Sequence, residues 1–240
     1  MPAIGITGGI ATGKSSFTNC LRELLAERTP QRDVPATARF FDADRAAREL
    51  VEHDQEVRGL IEAEFGKEVF EGGRDLNRER LRSIVFADVE KKRALEQILH
   101  PRIRRQWSLE AEGHRNSTKL FFADIPLLYE TGGETLCDQV VVVACSPSVQ
   151  LERLMRRSAL LKGRAPARLT TEAGEASRKL RPPLDERTAL RMIAAQMPLD
   201  EKIRRANHVI WNNGGPDVLK EQARLLVTLW RDSRDGFTVG

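Results

Sequence analysis

Gly8-Gly9-Ile10-Ala11-Thr12-Gly13-Lys14-Ser15 fits the pattern GxxxxGK[ST] without a mismatch. Before it, Ala3 to Thr7 is a short apolar run. After it, Phe17, Cys20, Leu21, Leu24 and Leu25 recur at helical spacing between Lys14 and Ala26. The reading is strand, loop, helix. In that setting the glycines let successive backbone N–H groups turn toward one anion, while the positive helix end and Lys14 favour charged phosphates. Ser15 is then placed to give its hydroxyl to Mg²⁺. This P-loop pattern names no acceptor, because kinases, motors, GTPases and nucleic-acid translocases share it.

Outward from the loop, further buried-strand candidates are Arg39-Phe40-Phe41, Leu120-Phe121-Phe122-Ala123, Val140-Val141-Val142-Val143-Ala144 and His208-Val209-Ile210-Trp211. Helical patterns separate them. Strands alternating with helices argue for a parallel sheet covered on both faces, an α/β P-loop NTPase of three layers with a helical insertion and a lid. Residues 43 to 117 contain no convincing strand, only helix-like stretches punctuated by Glu71-Gly72-Gly73 and by His100-Pro101, where proline is expected to kink or start a helix. A second insertion, about 157 to 188, holds Gly163, Pro166, Gly174 and Pro182-Pro183 among arginines and lysines, and reads as a mobile or partly disordered lid. The expected division is a single kinase domain. Its nucleotide-binding core covers about 1–43, 118–150 and 206–240, its helical substrate region about 44–117 and its lid about 151–205.

The chain has 240 residues, with 39 basic against 35 acidic side chains and a net charge of +4. That mild excess suits a polyphosphate ligand as well as an ordinary solvated surface. No apolar run approaches the roughly 20 residues of a membrane span, and the first residues lack the basic flank of a secretory signal. A cytoplasmic location is expected. Cys20, Cys137 and Cys145 are far apart and form no CxxC pair, which argues against a disulfide framework or zinc site.

Phosphoryl transfer to a hydroxyl calls for charge neutralisation and often for a carboxylate near the incoming oxygen, so acids at strand ends carry interest. Asp42 and Asp44 follow an apolar run, where the C-terminal edge of a parallel sheet carries the site in such folds. Helix capping explains the same two residues equally well. Asp124 follows Leu120 to Ala123 and precedes Ile125-Pro126-Leu127-Leu128, a place for an acid that orients a magnesium water or for a plain turn aspartate.

Several separated segments together resemble the dephospho-coenzyme A kinase family. They are Gly5 to Ile10 running into the P-loop, Asp42-Ala43-Asp44 with Ala47-Arg48, His100-Pro101, Asp124 to Leu128 with Glu130, and Asn212-Asn213-Gly214. The resemblance implies ATP-dependent phosphorylation of the ribose 3′-hydroxyl of dephospho-coenzyme A, with Mg²⁺ held by Ser15, alone or together with Asp124. It makes Asp44, Lys14 and Arg153 catalytic, with Asp44 receiving or orienting the hydroxyl and Lys14 holding the transferring phosphate. It assigns Gly9, Ala11, Thr12, Gly13, Lys14, Ser15, Ser16 and Asn213 to ATP. Thr7, Gly8, Asp44, His100 and Leu127 fall to the acceptor. It implies no nucleic-acid or membrane partner and leaves the oligomeric state open.

Two departures stand out. After Arg157 the family typically has a shorter lid than the arginine-rich stretch Ser158 to Glu186, so Arg164, Arg168 and Arg178 receive no assignment. Ala11 stands where many relatives have glycine, a modest change if its φ stays negative. A different small-molecule kinase is one rival reading, and Asp42-Ala43-Asp44 with Asp124 to Leu128 argues against it. A nucleic-acid-binding NTPase, suggested by the pI of 9.1, is the other; no aromatic residue is interleaved with the basic run to make a stacking platform.

Overall fold

The computed structural model describes residues 3–26, 38–71, 75–114, 119–163 and 184–235. In chain order the elements are β1 (Ala3–Gly8), α1 (Lys14–Ala26), β2 (Arg39–Asp42), α2 (Ala43–His53), α3 (Gln55–Phe65), β3 (Phe70–Glu71), β4 (Asp75–Leu76), α4 (Arg78–Ala87) and α5 (Val89–His114). They continue with β5 (Phe121–Asp124), β6 (Gln139–Ala144), α6 (Pro147–Gly163), α7 (Glu186–Ala194), α8 (Leu199–Arg205), β7 (His208–Trp211) and α9 (Pro216–Asp235). Five strands make one sheet in the order β2-β5-β1-β6-β7, with β2 parallel to β5 and β6 parallel to β7. The central parallel sheet expected from the alternating pattern is present. Every residue of β1 and β5, and all of β6 after Gln139, is buried, which explains why these strands read as unbroken apolar runs. The edge strands β2 and β7 are partly open.

The chain divides into two compact units, one of Met1–Gly5 with Ala36–Gln139 and one of Ile6–Pro35 with Val140–Gly240. In the first, Val51, Val57, Ile61, Phe65, Val69, Phe70 and Leu81 form one core beneath α2 to α5. Polar caps set where these helices begin. Asp42, Asp54 and Asn77 accept from the backbone N–H of Arg45, Val57 and Arg80 and so open α2, α3 and α4. Asp54 also ends α2, its own N–H donating to Leu50 O. The next break is Gly66, which closes α3 at φ +88, a conformation that favours glycine.

One expectation for this region needs correction, and another is narrowed. Residues 43 to 117 do contain strands: β3 and β4 pair antiparallel, Phe70 with Leu76 and Glu71 with Asp75. Two residues per strand are too few to show an alternating pattern in the sequence. Of the two outcomes expected at Pro101, a helix start is excluded, because α5 runs through it from Val89 to His114. A proline interrupts one backbone bond, and here α5 packs on α3 and α4, with Ala94, Leu95, Ile98 and Leu99 against the core just before the proline.

In the second unit, Phe17, Leu21, Leu24 and Leu25 of α1 are buried, as are Leu219, Ala223, Leu226, Val227 and Trp230 of α9. The two helices pack on each other through these stripes. Proline at the first position of α9 suits a helix start, where its missing N–H costs nothing. Among the described residues no helix is long and apolar enough to cross a membrane.

Candidate active site

The phosphate loop lies wholly in the second unit, between the end of β1 and the start of α1. Its three glycines serve different needs. A Cβ at Gly8 would come within 2.5 Å of Val143 O and 2.9 Å of Thr12 Oγ1, and a Cβ at Gly9 within 2.6 Å of Gln150 Nε2. Neither has positive φ, so close packing is what requires glycine there. Gly13 needs both space and angle, with φ +94 and the Asn212 amide where its Cβ would project.

Inside the loop, Thr12 Oγ1 and Thr12 N both donate to Gly9 O, at 2.9 and 3.3 Å, which closes the turn. Phe17 N donates to Gly13 O at 3.1 Å and carries the chain into α1. Lys14 is half-buried at the first position of that helix, and Ser15 and Ser16 are exposed beside it. Ala11 departs from expectation. Its φ is +62, not negative, so an L-residue occupies a left-handed turn that glycine would adopt without steric cost.

Residues distant in sequence brace the loop from outside. Asn212 Nδ2 donates to Thr12 O at 2.8 Å. Arg153 Nη1 donates to Asn212 O at 2.8 Å and to Thr12 O at 3.5 Å, which places the guanidinium at the base of the cradle. Arg153 also touches Cys145, whose thiol is nevertheless pushed up because burial outweighs the nearby cation. Lys202, fully buried on α8, donates from Nζ to Gly8 O at 3.4 Å. The peptide of Ile10 is held on both sides: its N–H donates to Gln196 Oε1 and its carbonyl accepts from Gln150 Nε2, each at 2.8 Å. Asn213 is turned elsewhere, accepting from Ser146 N at 2.7 Å.

The acids belong to the first unit. Asp42 and Asp124 are register partners at the ends of β2 and β5. Asp42 takes the capping duty that the sequence left shared, accepting from Arg45 N at 2.9 Å. Asp44 stands two residues on, exposed in the first turn of α2, and its carbonyl accepts from Arg48 Nε at 3.0 Å. An acid there gains from the positive helix end. Asp124 is buried at 6 % exposure. His100 is half-buried on α5, and burial lowers its pKa, with Glu96 partly opposing. Burial there favours the neutral imidazole. Leu127 lies in the turn after β5, where its carbonyl accepts from Thr131 N and Thr131 Oγ1 at 3.0 and 2.8 Å. Thr7 is buried in β1.

Among the described residues no group of three or more His, Cys, Asp or Glu could hold a metal by itself. Ser15 in the second unit and Asp124 in the first each offer oxygen, the donor type that Mg²⁺ takes alongside substrate phosphate and water. Gln196 and Lys202 carry no local sequence signal, since their bonds to the loop span 186 and 194 residues. Gln150 stands in the same helical turn as Arg153, and nothing in its neighbourhood marks it. Arg164, Arg168, Arg178 and the rest of residues 164–183 within the expected lid lie outside the described residues.

A family model described as dephospho-CoA kinase matches residues 2–183. A protein of that description from Bacillus cereus is 35% identical over 228 residues, covering 95% of this chain and 96% of its own length. One from Anaeromyxobacter dehalogenans is 40% identical over 235 residues, covering 95% and 92%. A crystal structure from Thermus thermophilus superposes with a TM-score of 0.64 at 29% identity, covering 95% of this chain and 96% of that one. The structure of dephospho-CoA kinase from Campylobacter jejuni also gives 0.64, at 21% identity and 97% and 98% coverage, a likeness of fold.

Proposed function

The chain belongs to the dephospho-CoA kinase family, and from that premise we propose that it transfers the terminal phosphoryl group of ATP to the ribose 3′-hydroxyl of dephospho-coenzyme A. The products are coenzyme A and ADP, as in the last step of coenzyme A biosynthesis. The observation that carries the reading is the glycine-dependent loop from Gly8 to Ser15, closed on itself and braced by Asn212 and Arg153. A loop closed and braced in this way needs little reorganisation when a polyphosphate arrives.

In this reading Lys14 holds the transferring phosphate, and Thr12, Gly13, Ser15 and Ser16 line the ATP phosphates. Arg153 keeps the loop in shape and adds positive charge near it. Asp44 orients the acceptor hydroxyl and takes its proton as the oxygen attacks the γ-phosphorus in line and the bond to the β-phosphate oxygen breaks. No phospho-enzyme forms. Ser15 and Asp124 are the residues that would hold Mg²⁺, which when bound offsets charge on the phosphates. The helical region of about 44–117, with His100 and Leu127, is assigned to the acceptor, and about 151–205 to closure over ATP. Asp42's role as the helix cap supports giving the chemistry to Asp44.

The test is Asp44→Asn. ATP affinity by calorimetry is expected to stay within about 3-fold of wild type while turnover falls by about 10² or more, the usual span for a lost proton acceptor. Unchanged turnover rejects the assignment.

A further inference from the structure

We propose that Gln150 and Gln196 are positioning residues, a paired amide clamp on Ile10 through which α6 and α7 fix the shape of the phosphate loop. The proposal rests on the reading that this loop holds the phosphates of ATP. The clamp is built from opposite sides of one residue. Gln196, just past the end of α7, accepts from Ile10 N at 2.8 Å, and Gln150, in the first turn of α6, donates to Ile10 O at 2.8 Å. Chemistry fixes the orientation of both amides, since an N–H can only donate and a carbonyl can only accept.

Two further observations converge on the same point. Gly9 has no positive φ that would call for glycine, and a Cβ there would meet Gln150 Nε2 at 2.6 Å. Glycine at position 9 therefore makes room for the Gln150 amide. Next to Ile10, Ala11 holds φ +62, a conformation that persists only where its surroundings over-determine it. The supports are complete on both sides: Ile10 is clamped by the two glutamines, and Thr12 is held by Gly9, Asn212 and Arg153. Releasing Ile10 lets the turn at Ala11 relax and misplaces the amides that follow.

Charge-matched substitutions separate the hydrogen bonds from general effects on the loop. Gln196→Glu keeps an acceptor for Ile10 N–H, whereas Gln150→Glu loses the donor and turns a carboxylate toward Ile10 O; each adds one negative charge. The measurements are KM for ATP, KM for dephospho-coenzyme A, ATP affinity by calorimetry, and thermal unfolding without nucleotide. Gln150→Glu is expected to weaken ATP about 10-fold or more, the scale of one lost hydrogen bond of this kind, with KM for the acceptor within about 2-fold. Gln196→Glu is expected to stay within about 3-fold of wild type for both. Should Gln150→Glu fail to fold, Gln150→Met, neutral and of similar length, is expected to show the same loss confined to ATP. Equal weakening by the two glutamates, or wild-type ATP affinity in the Gln150 variants, overturns the clamp. Wild-type protein that binds no ATP overturns the nucleotide reading along with it, and is recognised by failing before any substitution is made.

Discussion

The Asn212 amide fills the space that a side chain at position 13 would need, and from there it donates to Thr12 O at 2.8 Å. The loop and the turn after β7 are thus fitted to each other, with glycine on one side and asparagine on the other. Gly13→Ala introduces both a steric clash and a left-handed alanine, the latter costing about 1–2 kcal/mol, and it displaces a bond worth about 1 kcal/mol. A thermal midpoint several degrees below wild type is expected. Adding Asn212→Ala should recover part of that loss, since the two residues are in contact and their effects do not add. A Gly13→Ala variant that melts with wild type contradicts the geometry.

Ala11 invites the opposite substitution. Glycine relieves a left-handed strain of about 1–2 kcal/mol and loses about 0.5–1 kcal/mol to a freer unfolded chain. The net expectation for Ala11→Gly is a gain of about 0.5–1 kcal/mol, a rise of about 1–4 °C for a chain of this size. Differential scanning calorimetry reads it directly.

Asp42 separates capping from chemistry. Asp42→Ala removes the acceptor for Arg45 N and should cost about 1 kcal/mol in denaturant unfolding, while Asp42→Asn, an equally good cap, should restore it. Neither is expected to reduce turnover as Asp44→Asn does. Comparable loss of turnover in Asp42→Asn moves the proton acceptor from Asp44 to Asp42.

His100 and His208 both have pKa values lowered by burial. The unfolded chain therefore binds more protons than the folded one between the lowered values and the ordinary histidine value near 6.5. Stability is fully present above that value and is lost as pH falls below it, levelling off once the folded-state histidines titrate. Thermal unfolding across pH 5 to 8 should show this slope, and His100→Gln should make it shallower. An unaltered slope in that variant places the linkage elsewhere.

Much of the fold was legible because it rests on local rules. The helix from Lys14 to Ala26 has the bounds read from its apolar spacing, and the valine run before Ala144 is a strand buried on both faces. The GxxxxGK[ST] pattern located the loop. What escaped was set by tertiary contact or by very short pairing. The strained φ of Ala11, the amides of Gln150 and Gln196 and the buried ammonium of Lys202 depend on segments that meet only after folding. The two-residue strands β3 and β4 leave no period to read. Asp42 and Asp44 look alike in sequence, and the backbone N–H of Arg45 tells them apart.

The most direct measurement follows ADP formation from Mg-ATP with dephospho-coenzyme A, adenosine, nucleoside monophosphates or no acceptor. Rapid ADP release with dephospho-coenzyme A, matched mole for mole by coenzyme A, and near-background release in the other arms is the expected result. Release that is as fast without an acceptor, or faster with a nucleoside monophosphate, contradicts transfer to the 3′-hydroxyl of dephospho-coenzyme A as the reaction this protein performs.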